Sequence, residues 1–192
     1  MSEVKNILLC GVGGQGTILA SKILSYALVE AGYDVKMSEI HGMSQRGGSV
    51  TTQVRYGDKV YSPIIGQGSA DILVSFEAME AYRYLETLNP KGFVVVNDFH
   101  MDTATTLSGS EDYPENIIDK VKEKATTKVL DAAKIAADLG NSKAMNVVLL
   151  GALVKLMNLE NLDWDGALAA CVKPAFLELN KKALAAGMEA VA

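Results

Sequence analysis

The start of the chain has an apolar run, then a glycine-rich stretch, then a helical pattern. Residues 6–10 are almost entirely apolar and predict a buried strand. Gly11, Gly13 and Gly16 follow directly. In residues 17–31 the apolar positions fall largely on one face at helical spacing, which predicts a helix. Strand, turn and helix together form the first half of a βαβ unit.

The remainder of the chain alternates between strand and helix patterns. Further strands are predicted at 33–38, 49–56, 59–62, 71–76, 93–97 and 128–131, and helices at 77–88, 114–124, 132–139, 146–157, 164–172 and 174–186, with Gly187 after the last helix. Residues 39–48 and 101–113 are expected to be loops. Gly57 and Asp58 are a turn signal, so we expect a β-hairpin insertion after the second strand, formed by 49–56 and 59–62. The alternation is typical of an α/β fold with a Rossmann-like, mostly parallel sheet and helices on both faces.

Composition narrows the class of protein. With 192 residues, of which 49% are hydrophobic, the chain is expected to form a single domain over 1–192. A net charge of −5 argues against a broad nucleic-acid surface. The longest apolar stretch, 147–154, is too short to span a membrane, and no signal segment is visible, so we expect a cytoplasmic protein. Cys10 and Cys171 are the only cysteines, too few for an iron–sulfur cluster.

The first glycine-rich stretch matches G-x-G-x-x-G between a strand and a helix. It predicts either a phosphate or carboxylate site at the helix N-terminus or a turn that needs glycine only for packing. An NAD site also needs an acidic residue after the second strand. Glu39 is in that place, but it leads directly into residues 41–48, which do not resemble an ordinary ribose-binding continuation.

The second glycine-rich stretch, His41 to Gly48, is the most unusual part of the sequence. Because it follows a strand, we expect it at the carboxyl-end rim of the sheet, beside the first glycine loop. Arg46 offers a planar set of donors for phosphate or carboxylate. The alternative is an ordered surface turn with an exposed arginine. No Ser-His-Asp or Cys-His set is evident, which suggests a subunit that completes the active site of another protein.

Both glycine motifs, residues 11–16 and 41–50, resemble those of the gamma-type subunit of the 2-oxoacid:ferredoxin oxidoreductases. Residues 61–64, 71–77, 146–152 and 178–183 are similar too, so the resemblance extends over nearly the whole chain. Within the family, the form of residues 41–48 is most similar to the small beta subunit of indolepyruvate ferredoxin oxidoreductase.

The resemblance implies a reaction in which a 2-oxoacid, either an aryl pyruvate or a related 2-oxoacid, reacts with CoA and oxidised ferredoxin to give acyl-CoA, CO2 and reduced ferredoxin. It implies that thiamine diphosphate and the iron–sulfur clusters are bound by partner subunits, one thiamine-binding and one ferredoxin-like, and that this chain alone binds no cofactor. It places the CoA side of the active site, or a subunit interface, at two loops. These comprise Gly13, Gly14, Gln15, Gly16, Thr17, His41, Gly42, Met43, Ser44, Gln45, Arg46, Gly47 and Gly48. No catalytic residue or metal ligand is assigned.

Two alternatives belong to other classes. One is an autonomous NAD(P)-dependent Rossmann oxidoreductase that uses Glu39 on the ribose. The other is a nucleotide- or CoA-binding regulatory module without a catalytic partner. The subunit interpretation predicts that the isolated chain is inactive. It also predicts an exposed apolar patch near the glycine loops and on a helix, which the isolated chain could use to form a homodimer.

Overall fold

Six strands form one mixed sheet in the part of the chain that the computed structural model describes, residues 3–42, 47–102 and 104–192. The strands are β1 (Lys5–Val12), β2 (Asp34–His41), β3 (Ser49–Gly57), β4 (Ala70–Ser75), β5 (Leu88–Asn97) and β6 (Thr126–Leu130). Their order in the sheet is β2-β3-β1-β4-β5-β6. β1, β4, β5 and β6 are parallel, whereas β3 is antiparallel to both of its neighbours, β2 and β1. The predicted mostly parallel α/β sheet is confirmed.

Helices cover both faces of this sheet. They are α1 (Thr17–Glu30), α2 (Ala78–Arg83), α3 (Ala104–Leu107), α4 (Ile117–Lys124), α5 (Ala132–Asp138), α6 (Met145–Leu156), α7 (Trp164–Cys171) and α8 (Leu177–Glu189), with 3-10 turns at Leu85–Thr87, Ser142–Ala144 and Pro174–Phe176. In β1, Ile7 and Leu9 join a core with α1 and α5 to α8, whereas Leu8 and Cys10 join a second core with α2 and α4. Burial on both faces explains the continuous apolar run at the start of the chain. Among the described residues, no helix has both the length and the apolar character needed to cross a bilayer.

The predicted hairpin between 49–56 and 59–62 is wrong, because residues 59–62 form no strand. β3 does form, but β2 and β1 occupy its two edges. The chain after β3 is instead held by side chains. The Asp34 carboxylate accepts a hydrogen bond from the Val60 N–H (2.9 Å), and Arg55 Nη1 donates to the carbonyl of Ser62 (2.8 Å). β3 therefore lies between β1 and β2, which are parallel to each other.

Several element boundaries also differ from the prediction. β2 continues through Glu39 to His41, where the sequence predicts a loop, because β3 pairs with it along its whole length. The helix predicted from residue 77 ends at Arg83, and β5 begins already at Leu88. α4 begins at Ile117, three residues later than predicted, and the short α3 lies in a stretch predicted as loop.

The crossing of α6 and α8 brings their backbones into contact. A methyl group added to Gly151 would lie 2.1 Å from the carbonyl oxygen of Leu184, and one added to Gly187 would lie 1.9 Å from that of Val148. Only glycine permits such an approach. The prediction that the last helix ends before Gly187 is therefore wrong, because this residue lies inside α8, at the crossing.

Candidate functional site

The turn after β1 is held from the inside by Gln15. Its side chain is 6% exposed. Its Oε1 accepts a hydrogen bond from the Val12 N–H (2.7 Å), and its Nε2 donates to the Phe76 carbonyl (3.0 Å). A methyl group on Gly11 would lie 2.8 Å from both Gln15 Oε1 and Phe76 Cβ, so glycine leaves the space that the amide occupies. The Gln15 side chain thus fixes the loop from beneath.

The N-terminus of α1 begins without a capping side chain. Gly16 precedes it in the left-handed conformation (φ 87°), and the first turn contains no acidic residue. The Gly16 carbonyl accepts hydrogen bonds from the Ala20 N–H and from Asn146 Nδ2, both at 3.2 Å. The N–H groups of a first helical turn have no partner within the helix, and the helix dipole makes this end positive. This end of α1 therefore favours an anion.

The two glycine-rich loops are joined by hydrogen bonds. The Gly13 N–H donates to the Gly48 carbonyl (2.8 Å), and the Gly47 N–H donates to the Gly13 carbonyl (3.3 Å). These bonds extend the pairing of β1 with β3, in which Val12 lies opposite Ser49. The predicted position of the second loop, beside the first, is confirmed for the described residues. Met43, Ser44, Gln45 and Arg46 lie outside them.

A cleft of about 350 Å³ lies where these elements meet. It is lined by Gly13, Gly14, Gly16, Thr17, Ile18, Glu39, His41 and Val50. The glycines and the start of α1 form one wall, and residues of β2 and β3 form another. His41 is exposed, with Nδ1 3.0 Å from the carbonyl of its neighbour Gly42.

The two walls of the cleft suit different parts of a ligand. The α1 wall offers backbone donors for a phosphate or carboxylate. On the β2 wall, the Glu39 carboxylate can only accept when ionised, so it favours a hydroxyl or an amine and repels an anion. A polar ligand with an anionic group at the α1 wall and a hydroxyl or amine facing Glu39 matches both walls.

Glu39 does not occupy the place expected for ribose recognition in a dinucleotide site. β3 lies between β1 and β2, so Glu39 is two strand spacings from β1, about 10 Å, instead of one. The order of the first two parallel strands thus differs from that of the dinucleotide fold, in which they are adjacent. The geometry gives no support to the NAD(P) alternative.

Neither cysteine has the surroundings of a reactive thiol. Cys10 is fully buried, and burial raises the pKa of its thiol well above the ordinary range; its Sγ lies 3.3 Å from Ser75 Oγ. Desolvation also raises the pKa of Cys171, which is half-buried. Cys10 is thus a buried thiol within β1. Within the described residues, no group of three or more His, Cys, Asp or Glu side chains could hold a metal ion.

Asn146, which no sequence motif indicated, also holds the first glycine loop, through the Gly16 carbonyl. Its side chain is 4% exposed, and a methyl group on Gly16 would lie 2.6 Å from its Nδ2. The signal was a single amide at the start of the nearly all-apolar run that forms α6. A buried polar side chain needs a partner, and Asn146 finds it in the Gly16 carbonyl, 130 residues away in the chain.

Exposed apolar side chains lie close to the cleft. On α1, Ile18 lines the cleft and is 40% exposed, and Tyr26 and Val29 are exposed further along the helix. Met37 and Ile40 are exposed on β2, the edge strand. These positions support the predicted apolar surface near the glycine loops and on a helix. The homodimer stays a prediction.

Comparison with known proteins agrees with the resemblance in the sequence. The family model for pyruvate ferredoxin/flavodoxin oxidoreductase matches residues 6–190. Indolepyruvate oxidoreductase subunit IorB of Pyrococcus horikoshii is 39% identical over 193 residues, which cover 96% of this chain and 95% of the relative. The pyruvate/ketoisovalerate oxidoreductases common subunit gamma of Thermococcus litoralis is 27% identical, with 94% and 91% covered.

Solved structures share the fold. The gamma subunit of keto/oxoacid ferredoxin oxidoreductase from Geobacter sulfurreducens superposes with a TM-score of 0.72 at 26% identity, covering 97% of this chain and 98% of its own. The 2-oxoglutarate:ferredoxin oxidoreductase of Magnetococcus marinus, solved with 2-oxoglutarate, coenzyme A and succinyl-CoA bound, superposes with a TM-score of 0.75 at 20% identity. All of this chain matches 31% of that longer one, a likeness of fold alone.

Proposed function

Because the chain belongs to the pyruvate ferredoxin/flavodoxin oxidoreductase family, we propose that it is the non-thiamine subunit of a 2-oxoacid:ferredoxin oxidoreductase acting on an aryl pyruvate. The complex would convert the 2-oxoacid, CoA and oxidised ferredoxin to acyl-CoA, CO2 and reduced ferredoxin. The aryl substrate is inferred from the relative at 39% identity, an indolepyruvate oxidoreductase subunit.

One observation supports the assignment of the cleft to the CoA side of the active site. The Gly13 N–H and carbonyl are bonded to Gly48 and Gly47, so both glycine-rich motifs border one cleft at the N-terminus of α1. CoA carries phosphates that suit the α1 wall, and hydroxyl and amide groups that could donate to Glu39 on the other wall. An acyl acceptor could thus be held here while the 2-oxoacid reacts elsewhere in the complex.

The remaining chemistry belongs to partners. Decarboxylation needs thiamine diphosphate, and electron transfer to ferredoxin needs iron–sulfur clusters, each of which requires several cysteine ligands. This chain has two cysteines in all. We therefore assign thiamine diphosphate to one partner subunit and the clusters to a ferredoxin-like partner. We place the complex in the cytoplasm, where thiols stay reduced.

The experiment that tests the function compares the isolated chain with the complex reconstituted from this chain and the partner subunits of its native host. We expect the complex to reduce a viologen dye when given an aryl pyruvate and CoA, and to prefer that substrate to pyruvate. The isolated chain should show no turnover, because thiamine diphosphate and the clusters are assigned to its partner subunits. Turnover by the chain alone, or reduction of NAD(P) by it, would contradict the subunit assignment.

Arg46 is predicted to contribute to anion binding at the second loop, from its residue type and its two following glycines. Loss of one charge-assisted hydrogen bond costs about 1.5–3 kcal/mol, or about ten- to a hundredfold in affinity. We therefore expect Arg46→Ala to raise the KM of the complex for CoA by about that factor. Arg46→Lys should recover only part, because it keeps the charge but loses the planar donor set.

The melting temperature of the isolated chain serves as the control for Arg46. The sequence predicts a polar loop at this position, where a side chain contributes little to folding, so the melting temperature should change by no more than about one or two degrees. Unchanged kinetics and unchanged assembly in Arg46→Ala would identify Arg46 as an ordinary surface residue.

A further inference from the structure

We propose that Glu80 is a positioning residue for the cleft, because it holds the end of the second glycine-rich loop through the hydroxyl of Ser49. Glu80 lies on α2, which covers the face of the sheet opposite α1. It is not among the residues that line the cleft. The inference rests on the function proposed above, since it assigns a supporting residue to the same CoA side of the site.

Side chains that alternate along β3 link the cleft on one face of the sheet to α2 on the other face. Gly48, whose carbonyl accepts the Gly13 N–H, is followed by Ser49, the first residue of β3. Successive side chains of a strand point to opposite faces. Val50 accordingly lines the cleft, whereas the Ser49 hydroxyl meets α2 on the other side.

The contact between Ser49 and α2 is short and supported by neighbours. Ser49 Oγ donates to Glu80 Oε2 at 2.5 Å and lies 3.2 Å from the Tyr84 hydroxyl. The other carboxylate oxygen of Glu80 lies 3.3 Å from Arg83 Nε. The Glu77 carboxylate caps α2 by accepting the Glu80 N–H at 3.0 Å, which fixes the helix start and hence the position of Glu80.

A carboxylate is a costly residue at this position. Glu80 is 5% exposed, and desolvation raises its pKa. A buried charge is tolerated only when it is paired and hydrogen-bonded, and an apolar residue of similar size would often be as stable. The carboxylate instead orients the Ser49 side chain. Ser49 in turn keeps the adjacent Gly48 carbonyl in position to accept the hydrogen bond from the Gly13 N–H. A well-defined cleft wall is the result.

Amide exchange in the isolated full chain tests the connection without any assay of activity. In Ser49→Ala we expect the Gly13 amide hydrogen to exchange about tenfold faster, because its acceptor, the Gly48 carbonyl, is no longer held from below. The Gly68 N–H, which donates to the Glu86 carbonyl at 2.9 Å, is the internal control and should not change. Equal acceleration of both amides, or of neither, would overturn the proposal.

Kinetics of the reconstituted complex give the second measurement. Ser49→Ala and Glu80→Ala should each raise the KM for CoA about three- to tenfold and change kcat by less than about twofold, because neither residue meets the reacting atoms. Glu80→Gln should recover part of the loss, since an amide oxygen still accepts from Ser49. The matched control is Glu86→Gln, an exposed carboxylate six positions on.

A double variant shows whether the two residues act through one contact. Residues of one hydrogen-bond network are non-additive. Ser49→Ala combined with Glu80→Ala should therefore raise the KM no further than the larger single effect. Multiplied effects, or unchanged KM values in a wild-type-like active complex, would contradict the positioning role. A wild-type complex without CoA-dependent activity would instead refute the proposed function. The exchange rate of the Gly13 amide is measured without CoA, so it would still test the contact between Ser49 and Glu80.

Discussion

Gly187→Ala is expected to lower the free energy of unfolding by about 2–4 kcal/mol, the largest stability effect that we predict for one added methyl group. The methyl group would lie 1.9 Å from the Val148 carbonyl oxygen and 2.8 Å from its carbon, both backbone atoms. A backbone atom cannot rotate away as a side chain can, so α6 and α8 must separate. The better helix propensity of alanine returns only about 1 kcal/mol.

A thermal melt of the isolated chain measures this cost. For a chain of this size, a loss of 2–4 kcal/mol lowers the melting temperature by about 5–15 °C. Gly151→Ala should behave in the same way, because its methyl group would lie 2.1 Å from the Leu184 carbonyl oxygen. The control is Gly66→Ala, whose methyl group would meet nothing closer than 3.6 Å. A melting temperature for Gly187→Ala within two degrees of that control would show that the two helices are not in close contact.

The same glycines explain why the predicted end of the last helix is wrong. In a sequence, a glycine near the end of a helical pattern indicates a helix terminus, because it is the usual C-cap residue. Gly187 instead packs against α6 at Gly151, which lies 36 residues earlier in the chain. Such a contact has no local signal, so sequence patterns cannot distinguish the two uses of glycine.

In the sheet, the strands themselves could be predicted from the sequence, whereas their pairing could not. The apolar runs of β1, β4 and β5 and the alternation of β3 could be assigned locally, because burial on one or two faces leaves a pattern. The partner of β3 could not be assigned. A turn signal at Gly57 and Asp58 favoured a hairpin with the residues after it, whereas β1 and β2 provide the actual pairing. Pairing depends on which edges are open in the assembled sheet.

The candidate site was predictable where motif and topology coincide. A glycine turn between strand and helix and a polar loop after the second strand both belong at the carboxyl edge of a parallel sheet. Their joining through Gly13, Gly47 and Gly48 follows from that placement. The supports under the site were not predictable, because Asn146 and Glu80 come from helices far along the chain and act through single hydrogen bonds.

Gly14→Ala is expected to lower kcat/KM for CoA in the reconstituted complex by about a hundredfold or more. Gly14 lines the cleft and has φ 105°, with no atom within 4 Å of an added methyl group. That open space is where a ligand would approach the backbone of the loop. A methyl group there would keep the ligand from the N–H donors beside it, and each charge-assisted hydrogen bond lost costs about 1.5–3 kcal/mol.

Gly140 provides a matched control for backbone strain. It has φ 107° and also no atom within 4 Å of an added methyl group, but it lies after α5 and does not line the cleft. Alanine in the left-handed region costs about 1–2 kcal/mol at either position, so both variants should lose similar thermal stability. Only Gly14→Ala should lose activity with CoA. If the two variants lose stability equally and keep equal kcat/KM for CoA, the cleft at the α1 N-terminus is not where CoA binds, and the site must be sought elsewhere on the subunit.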